Sequence, residues 1–422
     1  MNLKKLIGSD FLKNTIVVVA GTIGAQSIAL LAQPFLRRIY PPEAFGHLSI
    51  FLSLTGILVI ISSLRYELTI TLPKETEDAQ SLLAGALLIN FFFSFLIEIL
   101  ILVFQTPILN FLNIHSEYQF LIHLVAPGVF LFGIYQAVSY WLIRNIKFTD
   151  TSYIKLNRRL FEFPAQLTFK NFQGNIGLIW GELCGRFFLA VSSIYFVLKS
   201  GYHYKSISLQ SIKKNLKDYS DYPKYSTLPT LLNSIGLLVP AIIVNKFFGA
   251  KETGYFDACL LVLSVPVSFV SVSISNVLTQ KISESYRNQT KISGYIHKLF
   301  LILFSISILG VIMIKLFAPD FFEMFFGKEY RTAGEYATVL SVGFAARFVV
   351  STFAVVFSAL NRIKHGVLWQ YLYFITIVSL FFIPHKNIKE FILIYVMIES
   401  FMYLIYMFQI LWECKNYDNK IL

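Results

Sequence analysis

Arg158, Arg159 and Glu162, then Glu182 and Arg186, are five ionisable side chains set in two largely apolar stretches. Adjacent arginines suit a diphosphate, because a guanidinium fork can meet two acceptor oxygens at once. Glu162 stands four residues beyond Arg158, so the same helix face can instead neutralise that arginine, and a shallower helix would put both arginines at a membrane interface. Glu182 and Arg186 repeat the i, i+4 spacing, either as a fixed pair or as a protonatable switch that a ligand loosens. Diphosphate binding is therefore assigned as an expectation to Arg158, Arg159, Arg37 and Arg186.

Ion coupling or gating is expected of Glu162, Glu182, Asp257, Arg347 and Arg65. Asp257 and Arg347 put opposite charges in the second half of the chain, where a buried Asp257 would be a proton carrier. Gln26, Gln33 and Arg37 fall at i, i+7 and i+11, on one helix face that either lines a cavity or hydrogen-bonds between helices with Arg37 snorkelling outward. Arg65 and Glu67 close an apolar segment, at a gate or at the lipid headgroup surface. Glu98 and Glu399 are isolated carboxylates to which no role is given. HExxH, GxSxG and GxxxxGK[ST] patterns are absent, and Cys184, Cys259 and Cys414 form no CxxC spacing. No catalytic residue, metal site or cofactor is expected.

The elements that must carry these charges are helices in lipid. Hydrophobic residues make up 56% of the chain, charged residues 14%, and mean hydropathy is +0.64, a balance that one soluble core cannot hide. A hydrocarbon core of about 30 Å needs roughly 20 apolar residues per helix. Twelve segments qualify, near Thr15–Phe35, Leu48–Leu64, Leu82–Phe104, Phe120–Ile143, Ser152–Lys170, Gly177–Leu198, Thr227–Phe247, Gly254–Asn276, Leu299–Phe317, Thr338–Ala359, Val367–Ile383 and Lys389–Leu411. The run after Lys4 and Lys5 reads as the first of them rather than as a signal peptide. Each charge inside such a segment costs about 2.5–3.5 kcal/mol on insertion scales, so it must face a partner, protein interior or water.

The net charge of +12 is spread through loops, without the aromatic-interleaved patches that nucleic acid would require. With both termini in the cytoplasm, inner loops hold 22 Lys/Arg and outer loops 10, the asymmetry of the positive-inside rule. The longest polar stretch, Lys199 to Lys224, reads as a basic cytoplasmic linker and divides the chain into residues 1–198, 199–225 and 226–422. Two weak repeats support two halves: Arg37–Gly46 aligns with Asn245–Gly254, and Asn145–Lys147 with Arg362–Lys364. The expected fold is all-α integral membrane, with about twelve transmembrane helices in two six-helix lobes. Six being even, the lobes share one orientation, and a parallel repeat of this kind is suited to alternating access.

Gln33-Pro34-Phe35-Leu36-Arg37-Arg38-Ile39-Tyr40-Pro41-Pro42-Glu43-Ala44-Phe45-Gly46, then Leu64-Arg65-Tyr66-Glu67 and Leu72-Pro73-Lys74, resemble the Wzx-type polysaccharide flippases. Asp221–Tyr225, Leu238-Val239-Pro240, Phe248-Gly249, Gly254-Tyr255 and Val265-Pro266 are similar to that family's second lobe, so the resemblance covers both halves. It implies the multidrug/oligosaccharidyl-lipid/polysaccharide (MOP) exporter superfamily, a V-shaped MATE-like arrangement, and undecaprenyl-diphosphate-linked oligosaccharide as cargo. It also implies a bacterial inner membrane, contact with membrane lipid, a coupling ion, H+ or Na+, and work beside a polysaccharide polymerase. One departure is that Cys259-Leu260-Leu261 stand where relatives carry a basic residue.

Two other classes compete. A drug/cation antiporter of the same superfamily would centre on carboxylates rather than arginines. A membrane polymerase or glycosyltransferase would hold its chemistry on a sizeable loop, whereas outer loops here are short. A pure scaffold leaves the intramembrane charges unexplained.

Overall fold

The computed structural model describes residues 10–202, 207–360 and 362–421, with side chains of the first helix described from residue 24. Lys4, Lys5 and Lys205 lie outside the described residues. The chain divides into two compact units, Met1–Ser234 and Ile235–Leu422.

In the first unit, helices follow as α1 (Asp10–Ile39), α2 (Pro42–Ser62), α3 (Thr76–Val103), the short α4 (Gln105–Leu112), α5 (Val125–Arg144), α6 (Phe148–Gln173), α7 (Gly177–Lys199) and α8 (Leu209–Asp218). Its core is built on α3, α5 and α7, where Leu82, Ala86, Ala137, Trp141, Leu142 and Leu189 are buried together. The outward face is also apolar, with Phe92, Phe95 and Tyr195 exposed, as expected where the surrounding solvent is lipid.

The polar stretch between α7 and α9 is not a bare linker. Ser208 and Ser211 form a capping box that starts α8, and Asn215 donates to Asp78 of α3 at 3.0 Å. Tyr66 Oη donates to the Leu216 carbonyl at 2.8 Å. These residues belong to the first unit.

The chain continues through α9 (Asp221–Pro266), whose residues from Ile235 on belong to the second unit, then a π turn over Val267–Ser271 and α10 (Val272–Arg287). α11 (Ser293–Phe326), α12 (Arg331–Ser351), the short α13 (Val355–Ala359), α14 (Ile363–Ser379) and α15 (Ile388–Asp418) complete it. α12 packs between α11 and α15, and a tyrosine-rich seam with Trp369 stacked on Tyr373 and Tyr406 joins α14 to α15. Asp418 accepts from the Ile292 and Ser293 amides at 2.8 and 3.0 Å, which fixes the start of α11 to the end of α15.

The twelve apolar segments fall largely in helix, but not in twelve separate ones: Val367–Ile383 overruns the end of α14 at Ser379, and Thr338–Ala359 is broken between α12 and α13. Among the described residues eight helical stretches are long and apolar enough to cross a membrane. Two of them, Phe148–Lys199 and Asp221–Arg287, each carry two segments. Gly174 (φ 57°) turns the first, and Gly249 (φ 85°, ψ 177°) breaks the second. That backbone is open in practice only to glycine. The remaining two segments lie in α1 and in the 17-residue α14.

Candidate functional site

α6 and α7 form the most extensively packed helix pair of the first unit. The reason is a stripe of glycines on α7. A Cβ at Gly181 would stand 2.7 Å from the Gln166 backbone nitrogen, at Gly177 2.7 Å from the Phe169 carbonyl carbon, and at Gly185 2.7 Å from Glu162 Cβ. Small residues at i, i+4 and i+8 let two apolar helices approach backbone to backbone. The approach brings Arg158, Arg159 and Glu162 of α6 against Glu182 and Arg186 of α7.

Arg158 joins the two carboxylates, with Nε on Glu162 Oε2 at 3.0 Å and Nη2 on Glu182 Oε1 at 2.7 Å. Arg159 donates from Nη1 to Glu162 Oε1 at 2.6 Å. Arg186 donates to Glu182 at 2.7 Å, to the Gly128 carbonyl at 3.0 Å and to Thr55 Oγ1 at 3.0 Å. Its guanidinium lies 5.0 Å from the Phe51 ring centre and 5.4 Å from that of Phe132, within cation–π range. Three guanidiniums face two carboxylates, so the cluster keeps one positive charge in excess. Access is graded: the side chain of Arg186 is 6% exposed, that of Arg158 17% and that of Arg159 26%. Arg159 and Glu162 also border a small cavity of about 20 Å³ with Gln33 and Gln166, room for about one water molecule.

The structure therefore brings together four of the expected charges with Arg186, and joins Gln33 to them. Arg158 is held by both carboxylates, so the neutralising pair with Glu162 does form. Arg37 does not snorkel outward: it is buried, takes Gln33 Oε1 as acceptor at 3.2 Å and lies 4.1 Å from the Phe45 ring centre. Gln26 is exposed on α1.

Arg65 and Glu67 form a second polar centre in this unit. Glu67 is fully buried rather than set at a headgroup surface, and accepts from Ser63 Oγ at 2.5 Å, Gln136 Nε2 at 2.9 Å and Arg65 at 3.3 Å. Leu64 and Arg65 both have positive φ, 51° and 65°, a strained turn that swings the chain from α2 back under α5. Arg144 holds the far side of that turn, donating to the carbonyls of Pro73, Lys74 and Glu75 at 2.5, 3.1 and 3.3 Å.

In the second unit Arg347 pairs with Glu399, which is fully buried, so that carboxylate is not isolated. Tyr395 Oη accepts from the same guanidinium at 3.3 Å. Asp257 on α9 is half-buried and lies outside this pair. Glu98 likewise has a partner, His123 Nδ1 at 2.8 Å. Sequence spacing could not find these pairs, because their members are 25 and 52 residues apart. Thr55, the Gly128 carbonyl and Phe132 were missed for the same reason. The Gly177, Gly181, Gly185 stripe was the readable signal for the α6–α7 contact.

Among the described residues no three metal-ligating side chains gather. The cluster can attract an anion to its accessible edge and exchange a carboxylate for it.

The fold is that of MOP superfamily membrane transporters. One similar structure is an inward-facing multidrug resistance MATE transporter, 12% identical over 93% of this chain and 96% of that one, with a TM-score of 0.67. Another is the lipid II flippase MurJ in an inward closed conformation, 14% identical over 96% and 90%, with a TM-score of 0.74. A third is a MOP superfamily transporter from Pyrococcus furiosus, 14% identical over 96% and 95%, with a TM-score of 0.60. No curated protein matches in sequence. A sequence profile of polysaccharide biosynthesis proteins matches residues 35–335, which takes in α2 through α11 and the whole arginine–glutamate cluster, and the chain belongs to that family.

Proposed function

We propose that the protein is a flippase that carries undecaprenyl-diphosphate-linked oligosaccharide repeat units from the cytoplasmic to the outer leaflet of a bacterial inner membrane by alternating access, for surface polysaccharide such as O-antigen or capsule. The observation that carries this reading is the excess guanidinium of the α6–α7 cluster, with Arg159 its most accessible member. A diphosphate offers the acceptors that Arg159 and Arg158 can take in place of Glu162. A proton delivered to Glu162 would weaken its hold on both arginines and favour the exchange, which makes H+ the simplest coupling ion. The glycan follows the diphosphate while the polyprenyl tail stays in lipid, and the product leaves toward polymerase machinery in the same membrane.

The family supports polysaccharide work, and the fold shared with a lipid II flippase supports a lipid-linked cargo. The second reading is a drug/cation antiporter, favoured by the fold shared with multidrug transporters and by the buried carboxylates Glu162 and Glu182. The two differ in the sign of the cargo.

The test is transbilayer movement of a labelled polyprenyl-diphosphate oligosaccharide in vesicles holding wild type, Arg158→Ala, Arg159→Ala or no protein. Wild type is expected to accelerate movement, and Arg159→Ala to slow it about 10- to 100-fold, the worth of one charge-assisted hydrogen bond. If the cargo stays put while a lipophilic cation exchanges for protons, the antiporter is the answer.

A further inference from the structure

α11, α12 and α15 enclose an apolar groove of about 400 Å³ within the second unit, walled by residues such as Phe304, Val311, Ala346 and Leu404. Among the described residues that line it, Lys315 carries the one charge. The groove follows α11 from Phe300 to Lys315, on the order of 22 Å at 1.5 Å per residue. A single leaflet is about 15 Å thick, so one extended acyl chain fits along it.

Lys315 stands where such a chain would end in a headgroup. The next charges along α11 are Asp320 and Glu323, five and eight residues on, about 7 and 12 Å along the helix, and a lysine side chain that snorkels about one turn reaches the layer they mark. The nearby acids Asp320 and Glu323 are both taken by Arg331, at 2.7 Å each. Among the described residues no carboxylate pairs with Lys315. Ser400 Oγ, in the same wall, is a buried donor without a partner. Counted along the helices, Lys315 is eleven residues before the end of α11 and Ser400 twelve after the start of α15, which sets both toward one end of the groove.

We propose that this groove binds one acidic phospholipid of the bilayer, its acyl chain between α11, α12 and α15, its phosphate on Lys315 and an ester carbonyl on Ser400. A zwitterionic lipid fills the groove equally well but brings its own cation to compete with Lys315 for the phosphate. The site is separate from the α6–α7 cluster and does not depend on the identity of the cargo.

The full-length protein in mild detergent is mixed with phosphatidylglycerol or phosphatidylcholine of identical chains, and retained lipid is counted by native mass spectrometry. Phosphatidylglycerol is expected to be retained about fivefold over phosphatidylcholine, the effect of one basic residue at an acidic surface. Lys315→Gln should bring the ratio to about one and Lys315→Arg should keep it, while Ala346→Phe, which fills the groove, should remove both lipids; each variant is checked for the wild-type elution volume. Equal retention by wild type, or a preference that survives Lys315→Gln, overturns the proposal. Displacement of phosphatidylglycerol by an equimolar polyprenyl diphosphate also overturns it, since the groove would then be the cargo's tail site.

Discussion

Arg186 and Arg159 carry the same charge and belong to one network, yet their surroundings give them different work. Arg186 places its donors on Glu182, the Gly128 carbonyl and Thr55, and so ties α7 to α5 and α2. Removing it leaves Glu182 with less compensation and two buried oxygens without their donor. Arg186→Ala is therefore expected to lower stability by about 3–5 kcal/mol, the usual result of breaking a buried pair, read as a large drop in thermal unfolding temperature in detergent. Arg159 has one bonded carboxylate and the greatest exposure, so Arg159→Ala should leave that temperature nearly unchanged while transport falls. A matching loss of stability in both variants would make the whole cluster structural.

At the scale of elements, the α6–α7 pair is set by what α7 lacks. Glycines at 177, 181 and 185 let α6 come close enough for Arg158 to reach Glu182, 24 residues away in sequence. Gly181→Leu would place a side chain where Gln166 already stands, with Cβ 2.3 Å from Gln166 Cγ. Overpacking of this kind costs about 1–3 kcal/mol, and here it also separates the charged faces. The expected outcome is a destabilised protein whose transport falls more than its abundance, measured by vesicle assay against immunoblot. A variant that transports normally would show that the close approach is dispensable. Gly249 acts differently: open space surrounds it, so what it supplies is the backbone angle and not room.

For the whole molecule, the expected orientation, with both termini inside, rests on the distribution of Lys and Arg over the loops. Lys224 at the start of α9 and Lys386 before α15 are both exposed, and the five crossings expected between them would place Lys224 inside and Lys386 outside. Native Cys259 and Cys414 are buried and Cys184 is half-buried, so background labelling should be low. In intact cells an impermeant maleimide is expected to label Lys386→Cys and to reach Lys224→Cys only after lysis. The reverse pattern would place the termini outside.

Hydropathy by itself located the long apolar helices, because burial in lipid demands about twenty apolar residues wherever the chain crosses, though not where they join or end. The i, i+4 pairs Arg158–Glu162 and Glu182–Arg186 were legible too, since helix periodicity fixes neighbours along one face. What sequence could not supply was the joining of those pairs into one network, the burial of Glu67 and Arg37, or the Arg347–Glu399 and Glu98–His123 partnerships. It read the Lys199–Lys224 stretch as a linker, whereas Leu209–Asp218 within it forms α8 and packs on α3. The physical reason is common to all of these. Helix periodicity tells which residues share a face, but which face meets which other face depends on tertiary packing, and that choice decides whether a charge in the membrane is paired or free to bind.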